Sequence, residues 1–392
     1  MTRLLACGDR QIGSGGSFDR QPGDRLADQE QNGHRIIHLA VEHGVDLILD
    51  GGDVFEGPTI TPEQLDAYIL PLERLEGRVP IIVTPGNGKH DLAMRAVNAL
   101  APLRHVPGLT VASTPQVIAA AGVAVACLPW VHPGRLVAAQ NGGDRDEVHA
   151  LAAELLLEIA RGLLAESRAD YPGLPAVLLA HWAISGASFP YGLPVDGARE
   201  PILPASELET IGFDMVVAAH IHKPQMLWPT GLYVGSPMAH NFGETGEHGV
   251  WIVDINEHGA NIADALFVPI ESRRFVTLDR ELAEIPGVGV CLTEPPGDVR
   301  DAFVKVRITT TPELARRADF PQIRNDLLTV GAYNVWIEPT IERDVRARVE
   351  GMDESVDDRQ ALDMWMDAQA VPAERHEALR ALHEGYLAEV AA

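Results

Sequence analysis

Short apolar runs, each closing on a polar cluster, set the rhythm of this chain. Residues 3–8 form the first and end in Gly8-Asp9-Arg10-Gln11-Ile12-Gly13. Val45-Asp46-Leu47-Ile48-Leu49 closes on Asp50-Gly51-Gly52-Asp53-Val54-Phe55-Glu56, and Val79 to Thr84 closes on Pro85-Gly86-Asn87-Gly88-Lys89-His90-Asp91. Runs of this length with polar ends read as buried strands. Between the first two, Ile36, Ile37, Leu39, Ala40 and Val41 recur at helical spacing up to Gly44, a stop signal. A Gly/Ser/Asp/Arg-rich loop is expected from Ser14 to about Gln29, and a second helix from about Pro62. Strand, helix, strand, helix, strand is an α/β rhythm, and open α/β sheets place their sites at strand C-terminal ends.

After Pro107 the pattern shortens to strands at Thr110–Ala112, Gln116–Ala120 and Val123–Leu128, followed by Pro129-Trp130. A long amphipathic helix is predicted from about Asp144 to Glu166. A strand at Pro175–Ala180 then delivers His181-Trp182, and Met215-Val216-Val217 delivers Ala218-Ala219-His220-Ile221-His222-Lys223-Pro224-Gln225. Side chains two apart on a strand point the same way, so one metal position can meet both His220 and His222. Pro224 stops regular pairing. Strands follow at Gly231–Val234, before Gly235-Ser236-Pro237, and at Val250–Ile255.

Beyond about Glu271 the character changes. Residues 281–300 are rich in Pro and Gly and read as an irregular connection. Phe303–Thr309, Pro321–Val330 and Asn334–Glu338 predict a small β-α-β unit. Two acidic helices then flank Val371-Pro372, the second with Leu379, Leu382, Tyr386 and Val390 on one stripe. That stripe either packs on its own domain or docks a partner. The organisation expected is a main domain over 1–272, a capping domain over 273–345 and a helical region over 346–392.

Composition changes this picture little. The 392 residues are 46% apolar and 22% charged, with mean hydropathy near zero, as in soluble globular proteins. No apolar run approaches the ~20 residues of a membrane span, and the N-terminus does not read as a signal peptide. Three distant cysteines, Cys7, Cys127 and Cys291, suit a reducing compartment, so a cytoplasmic location is expected. The formal charge of −25 excludes coating of nucleic acid by general electrostatics, though not a local basic path. Of the three lysines, Lys89 and Lys223 lie inside the polar clusters and Lys305 does not.

Side by side, the strand-end clusters offer Asp9, Asp53, Asn87, His181, His220 and His222. Mixed oxygen and imidazole ligands without thiolates suit Mn²⁺, Fe or Zn²⁺ rather than Ca²⁺. One carboxylate shared by two ions would hold them ~3.5–4 Å apart, the spacing that clamps a phosphoryl group.

These clusters resemble the motifs of the calcineurin-like metallophosphoesterases: D-x-H, G-D-x-x-[DE], G-N-H-[DE], a lone His, and G-H-x-H. Within that superfamily the chain resembles SbcD-type nuclease subunits of DNA double-strand-break repair. That finer likeness rests on Leu128-Pro129-Trp130, Ala219 to Gln225, Tyr233-Val234-Gly235-Ser236-Pro237 and the C-terminal β-α-β unit with its helices. The resemblance implies a four-layer α/β sandwich, two mixed sheets flanked by helices, with a small α+β cap and C-terminal helices. It implies two metal ions, Mn²⁺ first, with Mg²⁺, Fe or Zn²⁺ as alternatives. Asp9, Gln11, Asp53 and His222 would hold one ion, and Asp53, Asn87, His181 and His220 the other. His90 would be the general acid, with Asp91 beside it in the catalytic motif, and Arg10, Lys89 and Lys223 would meet substrate phosphate. The activity implied is exonuclease and endonuclease cleavage of linear or hairpin DNA by metal-hydroxide attack. The partners implied are DNA, an SMC-like ATPase gripped by the terminal helices and a second copy of the chain, on the nucleoid and not at a membrane.

The chain departs from the pattern in three places. Gln11 stands where the motif has a histidine. Gly88-Lys89 lengthens G-N-H-D by two residues and moves the motif's histidine to His90, and Ala219 replaces a glycine. Glu56 keeps the acidic end of its motif as an expected orienting residue. Trp130 and Trp182 read as wall or core, and His34, His38, His43, His105 and His240 as surface or satisfied core. Two other readings therefore stand beside the nuclease: a phosphoesterase acting on small molecules or proteins, and a DNA-end-binding scaffold that has lost catalysis.

Overall fold

The computed structural model describes residues 1–15, 22–91, 98–137, 144–260, 262–342 and 356–390. They form two compact units. The first comprises Met1–Leu278, Pro296–Lys305 and Arg324–Trp336, the second Asp279–Pro295, Val306–Ile323 and Ile337–Ala392.

In the first unit the elements run β1 (Thr2–Cys7), α1 (Pro22–Glu42), β2 (Leu47–Asp50), α2 (Pro62–Leu72), β3 (Ile81–Val83), β4 (Leu109–Val111), β5 (Gln116–Ala120) and β6 (Val123–Leu128). Then come α3 (Pro133–Leu136), α4 (Arg145–Asp170), β7 (Ala176–His181), β8 (Ala183–Ile184), β9 (Ile202–Leu203), α5 (Ala205–Ile211) and β10 (Met215–Ala219). The run closes with β11 (Gln225–Trp228), β12 (Gly231–Tyr233), β13 (Gly249–Asn256), β14 (Gly259–Ala260) and β15 (Leu266–Pro269). One sheet has the order β14-β13-β1-β2-β3-β4 with β15 on β13, and the other β11-β12-β10-β7-β6-β5. Both are mixed: β1 to β4 pair in parallel, as do β12, β10, β7 and β6, while β13, β11 and β5 run antiparallel.

Alternation along the strands builds the layers. Leu4, Ala6, Leu47, Leu49 and Ile82 of the first sheet pack against Val125, Cys127, Val177, Leu179, Met215 and Val217 of the second. Their neighbours Leu5, Cys7 and Ile48 turn the other way, onto Ile36, Leu39 and Ala40 of α1 and Tyr68 and Leu72 of α2. Leu178, Ala180, Val216 and Ala218 likewise face Leu156, Ala160 and Leu163 of α4. Strands apolar on both faces are what a sheet covered on both sides requires, at ~1.5–3 kcal/mol per buried Leu, Val or Ile side chain. The sandwich expected from the sequence is present: two mixed sheets flanked by helices.

Register sets the site. Cys7 pairs Asp50 and Asp50 pairs Val83, so the loops after β1, β2 and β3 leave one edge together. Ala219 pairs His181, so β7 and β10 also end side by side.

Two expectations are corrected. The loop from Ser14 to Gln29 is shorter, because α1 begins at Pro22; proline suits a first helical turn, and the polar residues Arg25 and Gln29 are buried hydrogen-bonding members of that helix. The connection at 281–300 contains regular structure. Here β16 (Phe275–Ile285) pairs antiparallel with β17 (Gly289–Leu292), with Gly287 at φ 79° in the turn, so the Pro-Gly signal marks a hairpin.

β16, β17, β18 (Phe303–Thr310) and β19 (Asn334–Ile341) form a four-stranded sheet in the order β17-β16-β18-β19, with α6 (Pro312–Arg317) and α7 (Phe320–Thr329) between β18 and β19. In the second unit α8 (Asp358–Ala368), capped by Asp357, meets α9 (His376–Val390) through Arg380–Asp363 at 2.8 Å and Arg359–Glu384 at 3.2 Å. On the α9 stripe Leu382 and Tyr386 are exposed. Residues 343–355, which hold the expected boundary at 346, lie outside the described residues. No described helix is long and apolar enough to cross a membrane.

Candidate metal centre

The ends of β1, β2 and β10 converge because the residues there are small. A Cβ on Gly51 would collide with that of Ala219, and one on Gly8 would lie 3.0 Å from it. Asp9, Gln11, Asp53 and His220 are four of the eight described non-glycine residues with positive φ, at 52°, 45°, 49° and 101°. Such backbone costs ~1–3 kcal/mol per residue and persists only where surroundings enforce it. Here hydrogen bonds do so: Asp9 N–H donates to Gly52 O at 2.7 Å, Gln11 N–H to Asp53 O at 2.8 Å, and His220 N–H to both oxygens of Asp9 at 3.0 and 3.1 Å.

Ligand atoms of Asp53, His181 and His220 lie within 4.8 Å of one another. His181 presents its Nδ1 to Gly51 O at 2.8 Å, which leaves Nε2, 3.3 Å from Asp53 Oδ2, for a cation. His220 Nε2 meets Glu200 at 2.9 Å. His181 Nε2 and His220 Nδ1 are buried without hydrogen-bond partners. Buried polar atoms are rarely left so, and a bound cation would complete them. The donor set therefore fits a metal ion. A ligand imidazole anchored through its other nitrogen is also what metal sites show.

Charge agrees. Burial alone would raise Asp53, yet His181 beside it holds the carboxyl at about 2. Burial opposes charge on His181, but Asp53 lifts it to about 10. Burial likewise opposes charge on His222, and its hydrogen bond to Glu244 lifts it to about 9. Asp9, fully buried, is shifted up by desolvation. The centre thus favours positive charge beside its carboxylates, from a proton on an imidazole or from a bound cation.

The lengthened loop keeps His90 in reach. Asn87 donates its N–H to Asp53 Oδ1 and its amide to Asp53 Oδ2, both at 2.8 Å, while its Oδ1 accepts the Lys89 N–H at 2.9 Å. This side-chain turn, with His90 N–H on Asn87 O at 3.1 Å, absorbs the two extra residues. Gly88 lies against Trp130, which stacks on the buried Trp182 at 5.9 Å. His90 Nε2 is then 3.7 Å from Asp53 Oδ2, and its Nδ1 meets the Glu56 carbonyl at 2.9 Å, with the Glu56 carboxylate 3.7 Å away.

Not every residue singled out in the sequence reaches this cluster. Asp91 spends its carboxylate on the main chain, accepting from Val54, Phe55 and Gly86 at 2.9–3.1 Å, and burial lifts it to about 7. In place of the expected catalytic part, it staples the Asp53 loop to the Asn87 loop. Arg10, expected at substrate phosphate, runs inward, buried over the Tyr68 ring at 4.7 Å. Lys89 is exposed, and Lys223 reaches Ser188 Oγ at 2.9 Å.

Three residues with no motif support prove to belong here. Glu244 holds His222 Nδ1 at 2.9 Å, Glu200 holds His220, and buried His240 meets Asp9 O through Nε2 at 2.9 Å. Each comes from a loop distant in sequence, so no spacing could have flagged it.

No protein-family model and no curated protein matches the chain. Among solved structures, TT1561 of Thermus thermophilus is similar at 16% identity and a TM-score of 0.39, over 69% of this chain and 99% of that one. A dimetal phosphatase from Danio rerio is similar at 11% identity and a TM-score of 0.40, over the same 69% and 99%. Likeness at this level says nothing of what this chain binds or cleaves.

Proposed function

We propose that this chain is a metal-dependent phosphodiesterase of the calcineurin-like superfamily that processes DNA ends, an SbcD-type nuclease subunit. One observation carries the phosphoesterase reading: buried Asp53 gathers His181, His220 and His90 around one carboxylate, with two imidazole nitrogens left without hydrogen bonds. Asp53, Asn87, His181 and His220 would hold one Mn²⁺, and Asp9, His222 and Asp53 a second. When bound, the ions would polarise the phosphoryl group and activate water. Asp53 would set the charge between them, Glu200 and Glu244 would orient the imidazoles, and His90, 3.7 Å from Asp53 Oδ2, would pass a proton to a leaving oxygen.

The choice of DNA as substrate is supported by the resemblance in Leu128-Pro129-Trp130, Ala219 to Gln225 and Tyr233 to Pro237, and by the terminal helix pair. On this reading α9 presents Leu382 and Tyr386 to an SMC-like ATPase. The protein would work in the cytoplasm on the nucleoid, as a homodimer.

The test is Mn²⁺-dependent hydrolysis of an aryl phosphodiester, linear duplex DNA and hairpin DNA by the full chain and by Asp53→Ala. Cleavage of all three that Asp53→Ala abolishes supports the proposal. Cleavage of the aryl ester without DNA would move the substrate to small molecules or proteins. Inactivity on all, with DNA ends still bound, would leave a scaffold.

A further inference from the structure

His222 is built as a metal ligand whose coordinating nitrogen is already in use. Glu244 Oε1 takes the Nδ1 proton at 2.9 Å, and Glu244 is itself held by Asn241 Nδ2 at 2.7 Å and His240 N–H at 2.9 Å. That leaves Nε2 as the nitrogen for a cation, and it lies 3.1 Å from Gln11 Nε2. The same Gln11 nitrogen is 3.5 Å from His90 Nε2. A carboxamide nitrogen carries two hydrogens and no lone pair for bonding, so it can donate one to each ring. His90 Nδ1 on the Glu56 carbonyl puts that ring in the matching tautomer. Turned over, the amide would present its oxygen to the same two nitrogens, so His222 Nε2 is occupied either way.

The backbone of Gln11 is pinned on both sides. Its N–H bonds Asp53 O at 2.8 Å, and its carbonyl accepts from Ser14 N–H at 2.9 Å and Gln29 Nε2 at 3.2 Å. Only the side chain is free to move. The contrast lies within the one centre: at Asp53, His181 Nε2 and His220 Nδ1 make no hydrogen bond, with His181 Nε2 3.3 Å from Asp53 Oδ2, whereas at Asp9 the coordinating nitrogen of His222 is engaged by an amide.

We propose that Gln11 is a latch on the second cation position, and not a ligand of it: its amide closes His222 Nε2 to a metal and ties His222 to His90. The position at Asp9 and His222 therefore fills only when the Gln11 side chain swings away, and the same swing releases His90. This rests on the metal-centre reading above, and it makes the two positions unequal through competition and not through a poor ligand.

The two causes predict opposite signs for one substitution. Mn²⁺ is titrated into the metal-free full chain by calorimetry, with equilibrium dialysis for stoichiometry. Wild type should take one ion tightly and a second more weakly. Gln11→Ala should tighten the second by roughly tenfold, the worth of one lost competing hydrogen bond, and leave the first unchanged. Gln11→Asn, too short to reach both rings, should behave likewise and serves if the alanine variant folds poorly. Ring ¹⁵N shifts of His222 and His90 in metal-free protein should change in both variants. A weaker or unchanged second ion in Gln11→Ala overturns the latch while leaving the phosphoesterase reading in place, as does a single ion in both proteins. No Mn²⁺ bound by wild type at all would overturn the metal centre itself and the latch with it.

Discussion

Gly51 and Ala219 touch across the two sheets, at the point where β2 and β10 end, with no room for a Cβ on the glycine. Gly51 also offers its carbonyl to His181 Nδ1 at 2.8 Å. One small residue thus sets both the approach of the sheets and the orientation of the His181 imidazole. Gly51→Ala should cost ~1–3 kcal/mol, the usual worth of overpacking, and weaken Mn²⁺ at Asp53, His181 and His220. Adding Ala219→Gly should restore most of both, since neighbours in contact are not additive. Thermal melting and metal titration of the two single variants and the double variant check this. Equal losses in Gly51→Ala with and without Ala219→Gly would sink it.

Asp91 answers three main-chain N–H groups with two oxygens. Asp91→Ala should leave those donors buried and unpaired, at ~1–3 kcal/mol each, and lower the melting temperature sharply. Asp91→Asn, which keeps one acceptor oxygen, should lose less. If the alanine variant melts like wild type but turns over poorly, Asp91 belongs to catalysis after all.

His90→Ala should cut turnover of DNA by ~10²–10⁴, the usual worth of a general acid, with Mn²⁺ affinity at Asp53, His181 and His220 unchanged. An aryl phosphodiester, whose leaving group needs little protonation, should suffer less. Uniform loss on both substrates would make His90 a residue that positions phosphate.

His240 is fully buried, and burial pushes its imidazole down from 6.5 to about 3. The folded protein therefore keeps it neutral, while the unfolded chain takes up a proton near 6.5. Its contribution is complete above pH 6.5 and is lost as pH falls towards 3, by at most ~4–5 kcal/mol. Metal-free wild type should lose more stability between pH 6.5 and 4 than His240→Gln, which has no group to protonate. Parallel melting curves against pH would show that His240 is protonated in the fold.

The alternation and length of the apolar runs were enough to place the strands carrying Asp9, Asp53, His181 and His220, because strands buried on both faces leave an uninterrupted apolar signature that polar strand ends punctuate. The candidate ligand types were legible for the same reason: Asp53 lies three residues past the end of β2, and His220 directly follows β10. Sequence misjudged α1, whose first turns carry polar side chains, such as Arg25 and Gln29, that are buried only because they bond the loops at His240 and Gln11. It also read a Pro-Gly hairpin as an irregular connection.

What only the tertiary structure decided is how polar atoms pair. Glu200 and Glu244 reach His220 and His222 from loops about twenty residues away, Arg10 turns inward to Tyr68, and Asp91 turns to the main chain. Gln11 is the sharpest case. Its identity is plain in the chain, but whether it ligates or blocks depends on which nitrogen of His222 is left once Glu244 has taken the other. Periodicity reports which face a side chain takes, because burial of apolar area is non-directional and summed over many residues. A hydrogen bond is directional and belongs to one pair of atoms, so it exists only when the fold has brought them together.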